Sequence, residues 1–213
     1  WCPRCGTGLS SHELAQGYQD VKDLSLYVKF KIVGFPDAYF LAWTTTPWTL
    51  PGNLALAVGK DITYVEAKVG KDIFVLAKEK LSLIKEPYQI IAEHKGSEMV
   101  GMEYESLYKF IENNNKAFKV YTADFVTTED GTGIVHTAVM YGQEDFELGT
   151  KIGLPKQHLV SPDGTFAKGT DWLEGRSVVD ETLAVDILKD LQSRGLLFDK
   201  ENYTHSYPFC WRC

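Results

Sequence analysis

Leu24, Leu26, Val28, Phe30 and Ile32 alternate with mostly polar neighbours, the two-residue period of a strand with one buried face. Further short runs of apolar, β-branched and aromatic residues predict strands over 39–43, 54–58, 62–67, 73–76, 88–92, 119–122 and 134–138. Gly34, Gly59, Gly70 and Gly131 fall among polar residues between these runs and mark turns. Helical periodicity is rarer. Short helices are predicted over 77–84 and 145–152, the second with Asp145 near its start. The clearest helix spans 179–194, where Val179, Leu183, Ile187 and Leu191 recur every four residues and Gly195 can end it. Its apolar face, Leu183, Ala184, Ile187, Leu188 and Leu191, reads as scaffold. Many short strands and few helices predict an α+β chain, β-dominant, with a barrel-like folded sheet and peripheral helices.

Composition narrows the class. With 213 residues, 44% of them hydrophobic, the chain can bury the core of one domain, 1–213. No apolar run reaches the roughly 18 residues of a membrane span, so no membrane partner is expected. Trp1-Cys-Pro-Arg-Cys has neither the basic start nor the apolar centre of a signal peptide, and no initiator methionine is present. A cytoplasmic, monomeric piece excised from a longer protein is expected. A formal charge of −7 argues against a surface that holds nucleic-acid phosphates unaided.

Four cysteines form two Cys-x-x-Cys pairs, Cys2/Cys5 and Cys210/Cys213. Each spacing lets both thiolates turn onto one ion, and two pairs suit a tetrahedral Cys₄ zinc site. Free thiols and disulfides are the competing readings. As a zinc clasp the pairs would join segments 1–20 and 200–213 into a stem.

Residues 43–53 read Trp-Thr-Thr-Thr-Pro-Trp-Thr-Leu-Pro-Gly-Asn. Pro47 and Pro51 remove backbone donors, so the stretch cannot sit in a central ladder and should form a stiff, irregular bend. The hydroxyls of Thr44, Thr45, Thr46 and Thr49, the indole of Trp43 and the amide of Asn53 could wall a small polar ligand. An ordinary strand exit with threonines chosen for β-propensity is the other reading. Farther on, Gly-Thr-Gly-Ile-Val-His-Thr-Ala begins at Gly131, and Gly-Gln-Glu-Asp-Phe-Glu-Leu-Gly begins at Gly142.

Together these segments resemble the editing insertion, often called CP1, of isoleucyl-tRNA synthetase, a class I enzyme. That family carries the threonine-rich segment, a Gly-Thr-Gly-x-Val-His segment, and an aspartate nine residues past the histidine, here His136 and Asp145. The cysteine-bearing ends and Glu103-Tyr-Glu-Ser-Leu are similar to the family too, so the resemblance spans the chain. Valyl and leucyl relatives tend to carry arginine where Thr46 stands. One departure is local: many family members have proline after His-Thr-Ala, where this chain has Val139-Met-Tyr.

The resemblance implies post-transfer editing, the hydrolysis of valine wrongly esterified to tRNA(Ile). An isoleucine pocket cannot reject valine strongly, because one missing methylene is worth only about 1–3 kcal/mol. It implies Asp145 as the carboxylate for the amino acid's ammonium group, with helix capping as its plainer role. His136, by itself more often a structural residue in a strand, becomes a residue that sizes the pocket. Thr45 is expected to reject isoleucine and place the attacking water, giving Thr45, Asp145 and His136 as the catalytic set. Trp43, Thr44, Thr46, Thr49 and Asn53 complete the expected substrate wall. The implied partners are the 3′ aminoacylated end of tRNA(Ile), its valine moiety and the rest of the parent synthetase. ATP would serve only the parent's body, and the editing chemistry would need no cofactor. A non-catalytic, zinc-clasped module that positions the tRNA end is one alternative. A zinc hydrolase using His136, His158 and a carboxylate is another.

Overall fold

The alternating stretch forms the second half of a long strand, β1 (Tyr18–Lys31), in a computed structural model that describes residues 2, 4–112 and 114–212. Leu26, Val28, Phe30 and Ile32 are all buried, as a two-residue period facing a core requires. The chain turns back into β2 (Ala38–Thr44), antiparallel to β1 from Leu26↔Thr44 to Lys31↔Tyr39. The far edge of β2 is shared. Residues 38–40 pair in parallel with β5 (Asp72–Ala77), and Trp43 pairs with Val135 of β8 (Ile134–Thr137), again in parallel. From this fork one arm runs through β5 to β4 (Thr63–Val69) and β6 (Gln89–Lys95). The other runs through β8 to β3 (Ala55–Val58) and β7 (Lys119–Thr122). The result is the curled, β-dominant sheet expected of the sequence.

The largest core cluster lies on one face of this sheet, built from Leu26, Val28, Phe30, Phe40, Leu56, Val58 and Ile134. Helix α3 (Glu181–Ser193) closes it with Leu183, Ile187, Leu188 and Leu191. The expected helix begins two residues late: Asp180 caps it through the Thr182 amide, which leaves Val179 78% exposed outside the repeat. Gly195, at φ +68°, ends it in the left-handed region where glycine is favoured. The expected helix over 77–84 is a 3₁₀ turn, Lys78–Leu83, with none of its residues buried. On the opposite face, Leu148 of helix α2 (Gln143–Ile152) packs with Ala57, Ala123 and Val126.

The strand pattern gives no hint of β9 (Leu197–Pro208), which pairs antiparallel with β1 from Tyr18↔Pro208 to Val28↔Leu197. Most of this pairing is a two-stranded ribbon standing clear of the core, so neither strand needs an apolar face there. Rings line one side of it. Tyr203, His205, Tyr207 and Phe209 succeed one another at 6.2, 5.9 and 5.7 Å between centroids, and Tyr203 meets Trp43 edge-on at 4.9 Å. Near the ribbon's outer end, helix α1 (Ser11–Ala15) is closed by a capping box between Ser10 and Glu13. Among the described residues no helix is long and apolar enough to cross a membrane.

Candidate active site

The two prolines shape the bend as a short 3₁₀ helix, Pro47–Gly52, with Pro47 in the first turn where a missing N–H is tolerated. The hydroxyl of Thr44 accepts the Thr46 amide at 3.1 Å and fixes the chain's exit from β2. Leu50 and the α3 residues share the core, so the helix braces the bend from behind.

His136 lies on the β8 face that looks toward this bend. Its Nε2 is 2.9 Å from Thr49 Oγ1, and its Nδ1 is 3.5 Å from Asn53 Nδ2. Thr49 donates its own proton to the Thr46 carbonyl at 2.8 Å, so toward His136 it can only accept. Asn53 Nδ2 also donates to the Ala55 carbonyl at 2.9 Å, which fixes the nitrogen side of the amide toward His136. Both constraints require His136 to be neutral with the proton on Nε2. Burial agrees: His136 is 8% exposed, and desolvation pulls its pKa down to about 4. With both ring nitrogens engaged, this imidazole is poorly suited to take a proton from water.

Asp145 stands three residues into α2, whose N-cap is Gly142 and which has no side-chain cap. Asp145 thus lies in the first turn, where the plainer expectation put it, but its carboxylate bonds outside the helix. Its Oδ2 accepts the amide of Ala138 at 3.0 Å, two residues past His136 on the same chain. Burial raises its pKa to about 6, against the lowering effect of that amide, and nearby Glu144 raises it further. Glu144 itself is exposed. An open depression of about 500 Å³ borders the carboxylate, lined by Gly142, Gln143, Glu144, Asp145 and Glu147. Such an acidic rim favours a cationic group.

Tyr141, in the segment that departs from the family, fills the join between bend and helix. Its ring meets Trp48 edge-on at 5.1 Å, and its hydroxyl accepts the Leu159 amide at 2.7 Å. Gly52 lies against that ring; a Cβ there would come 2.8 Å from Tyr141 Cε2.

The structure thus brings Thr44, Thr46, Thr49, Asn53 and His136 into one hydrogen-bonded group, with Asp145 adjoining through Ala138. Thr45, partly exposed, stays outside that chain of bonds. Trp43 does not join it. Alternation along β2 turns its indole to the opposite face, against Tyr203 and over Gly131, with Nε1 buried and unpartnered among the described residues. Sequence reasoning gave no role to Tyr104, and touched Tyr141 only as part of the departing segment on the way to Asp145. A buried tyrosine needs a partner for its hydroxyl, but the partner is not readable from the sequence.

At the other end of the ribbon the sulfurs of Cys2, Cys5 and Cys210 all lie within 4.8 Å of one another, Cys5 and Cys210 at 4.0 Å. Four thiolates on a tetrahedral zinc at 2.3 Å stand about 3.8 Å apart, so this spacing fits. The Cys5 amide points at Cys2 Sγ at 3.4 Å, a bond that would orient a ligating thiolate. Cys213 lies outside the described residues. Among the described residues these cysteines form the one ligand cluster, and neither His136 nor His158 belongs to such a group.

Comparisons with known proteins identify the fold and the family. Residues 22–187 match the family model described as leucyl-tRNA synthetase, editing domain. Across its whole length the chain is 48% identical to isoleucine–tRNA ligase of Clostridium acetobutylicum and of Clostridium tetani, and 46% identical to isoleucine–tRNA ligase 2 of Bacillus cereus. It spans 20% of the length of each of these relatives. Among solved structures, the crystal structure of GlLeuRS-CP1 superposes with a TM-score of 0.68 at 12% identity, covering 83% of this chain and 98% of that one. The P. knowlesi cytosolic leucyl-tRNA synthetase editing domain gives 0.63 at 10% identity, covering 86% and 97%. At such identities these two speak for the fold alone. The chain therefore belongs to the family of aminoacyl-tRNA synthetase editing domains, in its isoleucyl (CP1) branch.

Proposed function

We propose that this domain hydrolyses the ester of tRNA(Ile) wrongly charged with valine. The observation that carries the reading is the junction of the threonine bend with Asp145 through His136 and Ala138. The carboxylate of Asp145 holds the ammonium group of the aminoacyl ester, a charge-assisted bond. Thr45 and Thr46 limit the room for the side chain, so that valine is admitted and isoleucine is not. Water attacks the ester carbonyl directly, held by threonine hydroxyls and by a ribose hydroxyl of the substrate, with backbone amides meeting the oxyanion. His136 shapes the wall and orients Thr49; its depressed pKa speaks against a role as general base.

The proposed partners are the 3′ end of tRNA(Ile), its valine moiety and the remainder of the parent synthetase, with the isolated domain a cytoplasmic monomer. Cys2, Cys5 and Cys210, together with Cys213, would hold a structural Zn²⁺ that ties segments 1–20 and 200–213 into a stem. Bound there, zinc supplies a tetrahedral crosslink and takes no part in the hydrolysis. The test is a paired deacylation assay with Val-tRNA(Ile) and Ile-tRNA(Ile). The reading requires faster hydrolysis of the valyl ester; equal rates, or none, would overturn it.

A further inference from the structure

Asn53 is the turning point of the hydrogen-bond chain, and its carbonyl end is gripped from outside the bend. Tyr104 is 2% exposed, and its hydroxyl donates to Asn53 Oδ1 at 2.6 Å. We propose that Tyr104 is a positioning residue of the editing site: its hydroxyl locks the Asn53 amide, which in turn locks His136 as the Nε2–H tautomer that Thr49 accepts.

The direction of every bond in the chain is forced. The Ala55 carbonyl can only accept, so Asn53 Nδ2 faces it and Oδ1 faces Tyr104. Burial holds the Tyr104 phenol well above its ordinary range, so it remains an O–H donor at any working pH. Nδ2 then meets His136 Nδ1 as a donor, and the imidazole proton must sit on Nε2. That proton goes to Thr49, whose own proton goes to the Thr46 carbonyl inside the bend. The phenol and the Ala55 carbonyl thus grip the two ends of the amide at the head of a relay that ends at the backbone of the substrate wall. Deleting the hydroxyl leaves Asn53 Oδ1 buried without a donor. A shift of the amide toward another donor relieves that cost at the expense of the Ala55 bond, and draws Nδ2 away from His136. A merely structural tyrosine would need some acceptor; here the acceptor is a side chain of the site itself. The ring is held independently, edge-on to Phe30 at 5.4 Å and to Phe118 at 6.0 Å, so the phenylalanine variant keeps its packing.

The kinetic arm of the test rests on the editing reading; the spectroscopic arm does not. In Tyr104→Phe, kcat for Val-tRNA(Ile) should fall about tenfold with KM within about twofold, the loss of one buried hydrogen bond expressed at the wall. Long-range ¹H–¹⁵N spectra should show His136 as the Nε2–H tautomer in the parent chain, with the Nδ1 resonance moved in Tyr104→Phe as its Asn53 donor is withdrawn. In an Asn53→Ala background, Tyr104→Phe should cost no further activity, because its path runs through that amide. Unchanged His136 nitrogen shifts in Tyr104→Phe, or an undiminished further loss in the Asn53→Ala background, overturn the proposal. A parent chain that leaves the valyl ester intact while Tyr104→Phe still shifts the His136 nitrogens overturns the editing reading and supports the role of Tyr104.

Discussion

Asp145 Oδ2 accepts the amide of Ala138 at 3.0 Å, two residues past the end of the bond that joins His136 to Thr49. A carboxyl and an imidazole therefore sit within one short stretch of chain, and burial shifts both toward their neutral forms. Asp145 rises from 3.8 to about 6 and His136 falls from 6.5 to about 4. Their effects on stability oppose each other. Between those values the folded state binds the Asp145 proton that the unfolded chain releases, so this term weakens folding as pH rises. For His136 the unfolded chain binds the extra proton, so that term strengthens folding as pH rises. Across the window from about 4 to 6 the two nearly cancel. Urea denaturation of the parent chain should show little pH dependence from this pair, whereas Asp145→Asn should make stability fall as pH drops through that window.

At neutral pH the buried charge of Asp145 costs the fold up to about 3 kcal/mol. Asp145→Asn keeps an acceptor for the Ala138 amide and removes the charge. It should raise the melting temperature above pH 7 by several degrees while weakening the ester's binding at least tenfold, on the order of one charge-assisted bond. In the parent chain KM should rise as pH falls below about 6, because the protonated carboxyl no longer attracts the ammonium group. Calorimetry and a pH series of deacylation rates check both halves.

Thr49→Val should leave His136 Nε2–H without an acceptor and the Thr46 carbonyl with the Thr49 amide as its remaining donor. The expected loss is about 1–3 kcal/mol of stability by chemical denaturation, from a substitution that scarcely changes volume. Thr49→Ser keeps the hydroxyl and should recover most of it.

Gly52→Ala places a methyl group 2.8 Å from Tyr141 Cε2. The ring must move, straining its contact with Trp48 and its bond to the Leu159 amide, at about 1–3 kcal/mol. Adding Tyr141→Ala should make the cost of Gly52→Ala disappear, which a double-mutant cycle measures directly.

Zinc bound by the cysteine cluster would act through the ribbon. The purified chain should carry about one zinc by atomic absorption, and a strong chelator should lower its melting temperature by several degrees while hydrolysis of the valyl ester continues. Cys5→Ser should reproduce the loss of metal. Complete loss of turnover with the fold retained would point to a metal in the chemistry.

What could be read from the chain depended on whether a segment faces the core. The second half of β1 showed itself through Leu26, Val28 and Phe30, and α3 through Leu183, Ile187 and Leu191, because each has one buried face and one wet one. β9 and the outer half of β1 stayed hidden, since a free-standing ribbon imposes no apolar period. The orientation of Trp43 was missed for a related reason. Its sequence neighbours Thr44 and Thr46 belong to the site, but a strand sends successive side chains to opposite faces. His136 and Thr49 are 87 residues apart in the chain, so their bond could be expected only from the likeness to the editing family. Nothing in the sequence signals that Asp145 would reach back to an amide rather than cap its own helix.

The fork at β2 has a further consequence for motion. Three strands are bonded to it, β1 along one edge and β5 and β8 along the other, and the threonine bend grows directly from its last residue. Loosening the bend at its root means tearing the sheet where its arms meet, so the amide protons of residues 39–44 should be among the last to exchange with deuterium. The proposed sieve, which would tell apart two amino acids differing by a single carbon, is thus anchored where three strands hold a fourth.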